Sequence, residues 1–416
     1  MTETETGNAG DGYASAAGTS GAFAVHPVPS ADGRALLERA RGLRSLLERE
    51  AGASDDLGHM TPAVVDALFD AGLMAAALPR ACGGAEADLV DQVLLYEELS
   101  SAEPSAGWSH MAGATATAFA AAFMADDAVA EMFAGDRTVA AGQFAPRGTF
   151  RTVDGGYRVS GEYGFASGSN HAAYIMAGGT VLDADGEMVF GDDGMPEMRV
   201  AAIPRDEVEL TGGWHVLGLQ GTGSQDYSVT DVFVPAGRTF ELLSETPERG
   251  GAQFRVGVLP MTSAGHAGWA LGVCRRALDE AAALAQVKQR MDAADVLAKQ
   301  QLFQKEFGER TAAYRSARAY VLSSFSAIQA AAESGGAGLE HKADVRVATT
   351  HATRVAADVV SWCYRLGGGD ALRDGHPLQR CMRDIFAGTQ HIFVDDSTYV
   401  NGARVWLDQV DGFIFL

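Results

Sequence analysis

Near the C-terminus, Thr389 and His391 follow a glycine, Gly388, that is suited to ending a helix. Threonine is a good N-cap, so the pattern predicts a new helix there with His391 in its first turn. Unpaired backbone N–H groups at such a place favour anions, and a peroxide or a phosphate would suit it. The alternative is that Thr389 only caps and His391 packs between helices. The residue before the glycine is Ala387, so this position offers no carboxylate to act as a base. Two further places carry polar groups of interest. Ser167-Gly168-Ser169 brackets a glycine with two hydroxyls, and reads either as a ligand contact or as an ordinary turn. His266, in Ser263-Ala264-Gly265-His266-Ala267-Gly268-Trp269, either lines a pocket or packs in a core or an interface.

Other chemistries find little support. No GxGxxG follows a strand pattern, and GxxxxGK[ST], HExxH and GxSxG are absent. The four cysteines, Cys82, Cys274, Cys363 and Cys381, are scattered without a CxxC pair, which predicts reduced thiols and no metal site. A net charge of −22 argues against nucleic acid or an anionic membrane as partner. The weakly polar run 111–125 is too short and alanine-rich to span a bilayer. The N-terminus lacks the basic and apolar regions of a signal peptide, so the expected compartment is the cytoplasm.

The chain divides by periodicity. Residues 1–33 are rich in Gly, Ala, Ser and Thr and read as a disordered tail. Residues 34–139 form a helical domain: Leu36, Leu37, Ala40, Leu43 and Leu47 mark one apolar face, and Thr61-Pro62 opens a second helix. The small-residue stretch 105–125, which contains Trp108, His110 and Thr117, is expected to be buried because small side chains let helices approach closely. Residues 140–250 alternate in strand fashion around Asp154-Gly155-Gly156, a hairpin signal, and are expected to form a β-barrel or sandwich. Residues 251–416 return to helical spacing over 267–290, 294–333, 339–366 and 379–386, predicting a four-helix bundle.

An α+β chain, mainly α, with helices, a β domain and then a bundle has the order of the acyl-CoA dehydrogenase fold, and three blocks sharpen the resemblance. The stretch 157–169, ending Ala166-Ser167-Gly168-Ser169, resembles the hairpin and loop that meet the flavin in this family. Trp214-His215-Val216-Leu217-Gly218-Leu219-Gln220-Gly221-Thr222-Gly223-Ser224, leading into Asp231-Val232-Phe233-Val234-Pro235, resembles its Trp-to-Gly-Thr-Gly-Ser block. Leu366-Gly367-Gly368-Gly369 and then Arg383-Asp384-Ile385-Phe386-Ala387-Gly388-Thr389 resemble its C-terminal signature, with alanine where a dehydrogenase carries its base. The family's other base position, at the start of the first bundle helix, reads 263–269 here and also lacks a carboxylate.

Within the fold, the chain looks most like the two-component flavin-dependent monooxygenases. The resemblance implies reduced flavin (FMNH2 or FADH2) supplied by a separate reductase, O2, a C4a-hydroperoxyflavin, a small aromatic or heteroatom-containing substrate, and a homotetramer. Carried over, Ser167 and His391 are the catalytic pair, Ser167 beside flavin N5 and His391 beside C4a. Ser169, Thr389, Arg290, Gln301 and Gly368 are the further flavin contacts implied. Trp108, His110, Thr117 and His266 are candidates for the substrate pocket, although the family's substrate-side histidine corresponds to Thr117 here. Trp214 is expected to pack at the edge of the β domain, and Gly221 and Gly223 to provide positive φ. The competing readings are an acyl-CoA dehydrogenase with a displaced base and a flavin-free scaffold of the same fold.

Overall fold

The computed structural model describes residues 27–135, 137–192, 194–291, 293–412, 414 and 416. Most of the expected tail, residues 1–26, lies outside them. The first helix, α1 (Ala31–Leu57), starts inside the stretch assigned to the tail. Ser30 makes this start: its hydroxyl accepts from the Gly33 N–H and donates to Asp91 Oδ2 at 2.5 Å.

The N-terminal helices continue with α2 (Pro62–Asp70), α3 (Leu89–Ala102), α4 (Pro104–Phe123) and α5 (Asp126–Met132). Thr61 caps α2 as its sequence suggests. Every residue of α3 is buried, and so is every residue of α4 except Ala112. Small residues make that possible. A Cβ on Gly107 would fall 2.1 Å from Ser100 Oγ. Two of the buried carboxylates on α3 are ion-paired: Glu97 lies 3.0 Å from Arg318, and Glu98 lies 3.1 Å from Arg275.

Seven strands follow: β1 (Ala140–Val153), β2 (Gly156–Ala166), β3 (Tyr174–Leu182), β4 (Met198–Pro204), β5 (Glu209–Gly212), β6 (Gln225–Pro235) and β7 (Thr239–Glu241). They hydrogen-bond as one mixed sheet in the order β5-β6-β2-β1-β3-β4-β7, with β1 and β3 parallel. The hairpin read from Asp154-Gly155-Gly156 joins β1 to β2, Gly155 taking φ +75°. Bulges at Gln143/Pro146 and Pro146/Gly148 bend β1, and a bulge at Tyr163/Ala166 turns the end of β2. The strands β5 and β7, four and three residues long, are too short to show a pattern and were not legible in the sequence.

The C-terminal part contains α6 (Val258–Val287), α7 (Gln301–Glu333), α8 (Leu339–Gly367), α9 (Pro377–Gly388) and α10 (Ser397–Trp406). Residues 294–300, expected to be helical, form a loop with one short 3-10 turn, so α7 begins seven residues late. Helix α6 starts earlier than its periodicity suggests, since Pro260 is tolerated in a first turn. Gly268 and Gly272 bring α6 against α3, where an added Cβ would lie 2.4 Å from the Val93 and Glu97 carbonyl oxygens. Helices α3, α4, α6, α8 and α9 thus surround one apolar core. No helix among the described residues is long and apolar enough to cross a membrane.

Candidate functional site

Helix α4 presents Trp108 to a cluster of rings. Its centroid lies 4.8 Å from that of Trp269 and 5.4 Å from that of His266, both on α6, and 5.6 Å from His391 after α9. His266 and His391 are themselves 5.5 Å apart. Helix α9 reaches this cluster closely because Gly388 has no side chain, and a Cβ there would lie 2.2 Å from the Trp269 ring. The indole N–H of Trp269 donates to the Pro104 carbonyl at 3.0 Å, fixing α6 to the start of α4.

On its other side, the Trp108 indole N–H donates to Ser167 Oγ at 3.1 Å. Ser167 lies 2.7 Å from Ser224 Oγ, which lies 2.6 Å from Thr222 Oγ1, whose hydroxyl donates to the Leu219 carbonyl at 2.8 Å. Each hydroxyl has one proton, so all these contacts are hydrogen bonds only in one direction. Thr222 gives its proton to Leu219, Ser224 to Thr222, and Ser167 to Ser224. Ser167 therefore keeps a lone pair, not a proton, for any bound group. The Leu219 N–H donates in turn to Asp384 Oδ1 at 2.6 Å. Leu219 holds φ +58°, a conformation rare for leucine, and Trp214 supports it by donating to the Leu219 carbonyl at 3.0 Å. The expected positive φ occurs at Gly223 but falls on Leu219 rather than Gly221. Gly221 serves close approach instead, with Ser54 Cβ 3.1 Å from where its own Cβ would lie.

The imidazoles are neutral. Burial, with help from the Arg346 guanidinium, lowers His391 to about 4, and burial, with His391 and Arg346, puts His266 well below its usual range. His391 Nδ1 accepts from the Phe393 N–H at 3.3 Å, which leaves the proton on Nε2. Both ring nitrogens of His266 lack a hydrogen-bond partner among the described residues. No carboxylate among the described residues is hydrogen-bonded or ion-paired to Trp108, Ser167, His266 or His391.

The structure thus brings together Trp108, Ser167, His266 and His391, and the other expected residues are bonded elsewhere or exposed. Thr389 is the C-cap of α9, not an N-cap: it is αR, and its hydroxyl donates to the Phe386 carbonyl at 2.7 Å. The next helical turn starts at His391 itself. Ser169 is buried, with its hydroxyl donated to the Gly223 carbonyl at 3.1 Å. His110, two residues from Trp108 and so on another face of α4, bonds the Leu73 carbonyl at 2.9 Å. Thr117 is fully used, donating to the Gly113 carbonyl and accepting from the Ala140 N–H at 2.8 Å, so it holds α4 to β1. Arg290, Gln301 and Gly368 are exposed. Lys288 draws their segments together by donating to the Gly367 carbonyl. That place is about 30 Å down α6 from His266, at roughly 1.5 Å per residue. It is too far for one flavin mononucleotide to touch both within a chain.

The chain is similar to known proteins over most of its length. Residues 31–133 match the acyl-CoA dehydrogenase N-terminal domain, and residues 264–396 match the acyl-CoA dehydrogenase C-terminal domain. Indole-3-acetate monooxygenase of Pseudomonas putida is 31% identical over 85% of this chain and 89% of its own length. The flavin-dependent monooxygenase oxygenase subunit HsaA of Rhodococcus jostii is 28% identical over 85% of this chain and 93% of its own. The chain belongs to the flavin-dependent monooxygenases of the acyl-CoA dehydrogenase fold. The crystal structure of the HsaA monooxygenase from M. tuberculosis superposes with a TM-score of 0.83, 25% identity, and 92% and 99% of the two chains covered.

The residues present fit the reduced flavin that this monooxygenase family uses with O2. A flat ring with a polar edge needs a hydrogen-bond partner and an apolar wall. Ser167 offers the first, and Trp108 and the neutral imidazoles offer the second. Phe165, two residues before Ser167, is 63% exposed and holds φ +65°, with its ring edge-on to Trp214 at 6.2 Å. An exposed aromatic held in an unusual backbone conformation suits a docking ring. Sequence reasoning missed Trp269, Phe393 and Arg346. Arg346, in the apolar stretch Val345-Arg346-Val347-Ala348, was the one with a readable signal.

Proposed function

We propose that this chain is the oxygenase component of a two-component system, receiving reduced flavin from a separate reductase and inserting one oxygen atom of O2 into a small aromatic substrate. Reduced flavin, when bound, supplies the electrons that activate O2. The protein's share is positional. Ser167 accepts a hydrogen bond from the bound ring, because its own proton is committed to Ser224. His391, neutral and protonated at Nε2, donates a proton or hydrogen bond at the reacting face. Trp108, Trp269 and Phe393 exclude water from that face. The further flavin contacts expected of Arg290, Gln301 and Gly368 require a neighbouring copy, in line with a cytoplasmic homotetramer.

The observation that carries the reading is the meeting of Ser167, Trp108 and His391 beside a position, Ala387, that has no carboxylate. Of the buried acids, Glu97 and Glu98 are held by arginines and Asp91 by Ser30, which leaves Asp384 and Glu103 for a displaced dehydrogenase base. Their bonded oxygens hold the Leu219 and Ala106 N–H groups. The test is to mix the protein with reduced FMN or FAD and then with O2. A transient absorbance distinct from reduced and oxidised flavin is expected, and it should be lost in His391→Ala. Direct reoxidation without a transient in the unaltered protein would reject the reading. Bleaching of tightly bound oxidised FAD by an acyl-CoA would favour the dehydrogenase, and no flavin affinity in either redox state would favour a scaffold.

A further inference from the structure

Arg346 on α8 is 3% exposed, yet no carboxylate among the described residues pairs with it. Its Nη1 donates to Ser263 Oγ at 3.2 Å, its guanidinium lies 5.1 Å from the Phe393 ring centroid, and its Nε has no partner. Asp395 is the acid whose charge it feels, but that carboxylate is engaged by the N–H and hydroxyl of Ser397. A buried cation without an anion is costly, and burial lowers Arg346 to about 10. A counter-anion for it would have to come from outside the described residues.

The surroundings say which molecule. Arg346 lies against Phe393, whose ring is 4.8 Å from His391, which is 5.6 Å from Trp108, the donor to Ser167. The guanidinium and the Ser167 hydroxyl are thus at opposite ends of one run of rings. His266, with two unpartnered nitrogens, sits one helical turn from Ser263 on α6. A surface cleft of about 450 Å³, lined by Leu259 and Lys342, opens one turn before Ser263 and Arg346 on the same two helices. We propose that Arg346, with Ser263, is an anion-binding subsite for the carboxylate of an aromatic acid, whose ring packs beside the Phe393, His391 and His266 rings. The planar guanidinium matches a carboxylate, and its unpartnered Nε is the donor still to be filled. The proposal rests on the oxygenase reading, since it names the substrate class of that reaction. The alternative source of the anion, the flavin itself, would sit at the Ser167 end.

The full-length chain is titrated with indole-3-acetate, 4-hydroxyphenylacetate and benzoate, each paired with its amide, and separately with reduced FMN and FAD under anaerobic conditions. At least one acid should bind the unaltered protein more tightly than its amide. Arg346→Gln should weaken that acid about 10- to 100-fold, the range for a lost charge-assisted hydrogen bond, and leave the amide and reduced flavin within about threefold. Arg346→Lys should restore part of the loss and control for folding. The proposal is overturned by acids that never exceed their amides, by equal losses for acid and amide, or by a loss confined to flavin. The acid titrations use no flavin, so they stand apart from failure of the oxygenase reading itself.

Discussion

The Trp108 indole N–H reaches Ser167 Oγ at 3.1 Å and so ties helix α4 to the loop after β2. The same indole makes T-shaped contacts with His266, Trp269 and His391. Trp108→Phe keeps an aromatic ring there but removes the donor and part of the indole's volume. The expected loss of stability is about 2–3 kcal/mol, the net worth of a neutral hydrogen bond together with the cavity left behind. The larger effect should be on coupling: more hydrogen peroxide released per flavin oxidised, with less product. A thermal melt and a peroxide-to-product ratio check both, and an unchanged ratio would remove Trp108 from the positioning of Ser167.

Ser224 receives the Ser167 proton, at 2.7 Å, and passes its own to Thr222 at 2.6 Å. In Ser224→Ala the Ser167 proton has no internal acceptor and turns toward the pocket. A donor then faces the bound ring where an acceptor stood. Anaerobic titration should show reduced flavin binding weakened about 5- to 20-fold, from about 1–2 kcal/mol for the mismatched bond. Affinity equal to that of the unaltered protein would show that the direction of the hydroxyl chain is irrelevant to binding.

The pH response on the acid side follows from the imidazoles. His391 falls to about 4 in the folded chain, below its ordinary 6.5, so between those values the unfolded chain binds the additional proton. Stability from this group is complete above about 6.5 and is lost as pH falls toward 4. His391→Gln should flatten that part of a denaturant-midpoint series between pH 4 and 7. Oxygenation should show no inflection near 6.5 from His391, since it stays neutral throughout. An inflection near 6.5 that disappears in His391→Gln would show that the imidazole does titrate there.

Sequence and structure part company in instructive places. The order of the three regions, the hairpin at Gly155 and the burial of α4 were readable because each depends on local pattern: period, turn residues, small side chains. Ser167, His266 and His391 were found as chemistry-bearing residues. Their meeting around Trp108 depends on long-range packing, which spacing does not record. Thr389 misled because a good N-cap residue also makes a C-cap when its hydroxyl turns back to Phe386. Thr117 and His110 stand nine and two residues from Trp108, spacings that put them on other faces of α4, where each bonds backbone groups.

Asp384 joins α9 to the loop that carries Leu219. Its Oδ1 accepts from the strained Leu219 at 2.6 Å, while Oδ2 has no partner. Burial foremost, then the nearby Glu103 carboxyl, raises it to about 8 from an ordinary 3.8. A carboxyl raised on folding is protonated in the native chain and ionised in the unfolded one between those values. Its penalty therefore grows as pH rises from about 4 to about 8, and stability falls over that window. Asp384→Asn keeps an acceptor for the Leu219 N–H and cannot ionise, so its denaturant midpoint should decline less steeply from pH 5 to 8. Asp384→Ala leaves the Leu219 N–H unpaired, at about 1–3 kcal/mol. It should also release the Leu219–Thr222–Ser224 chain and raise peroxide leakage. If the alanine protein loses stability but keeps full coupling, Asp384 holds the fold and has no part in positioning Ser167.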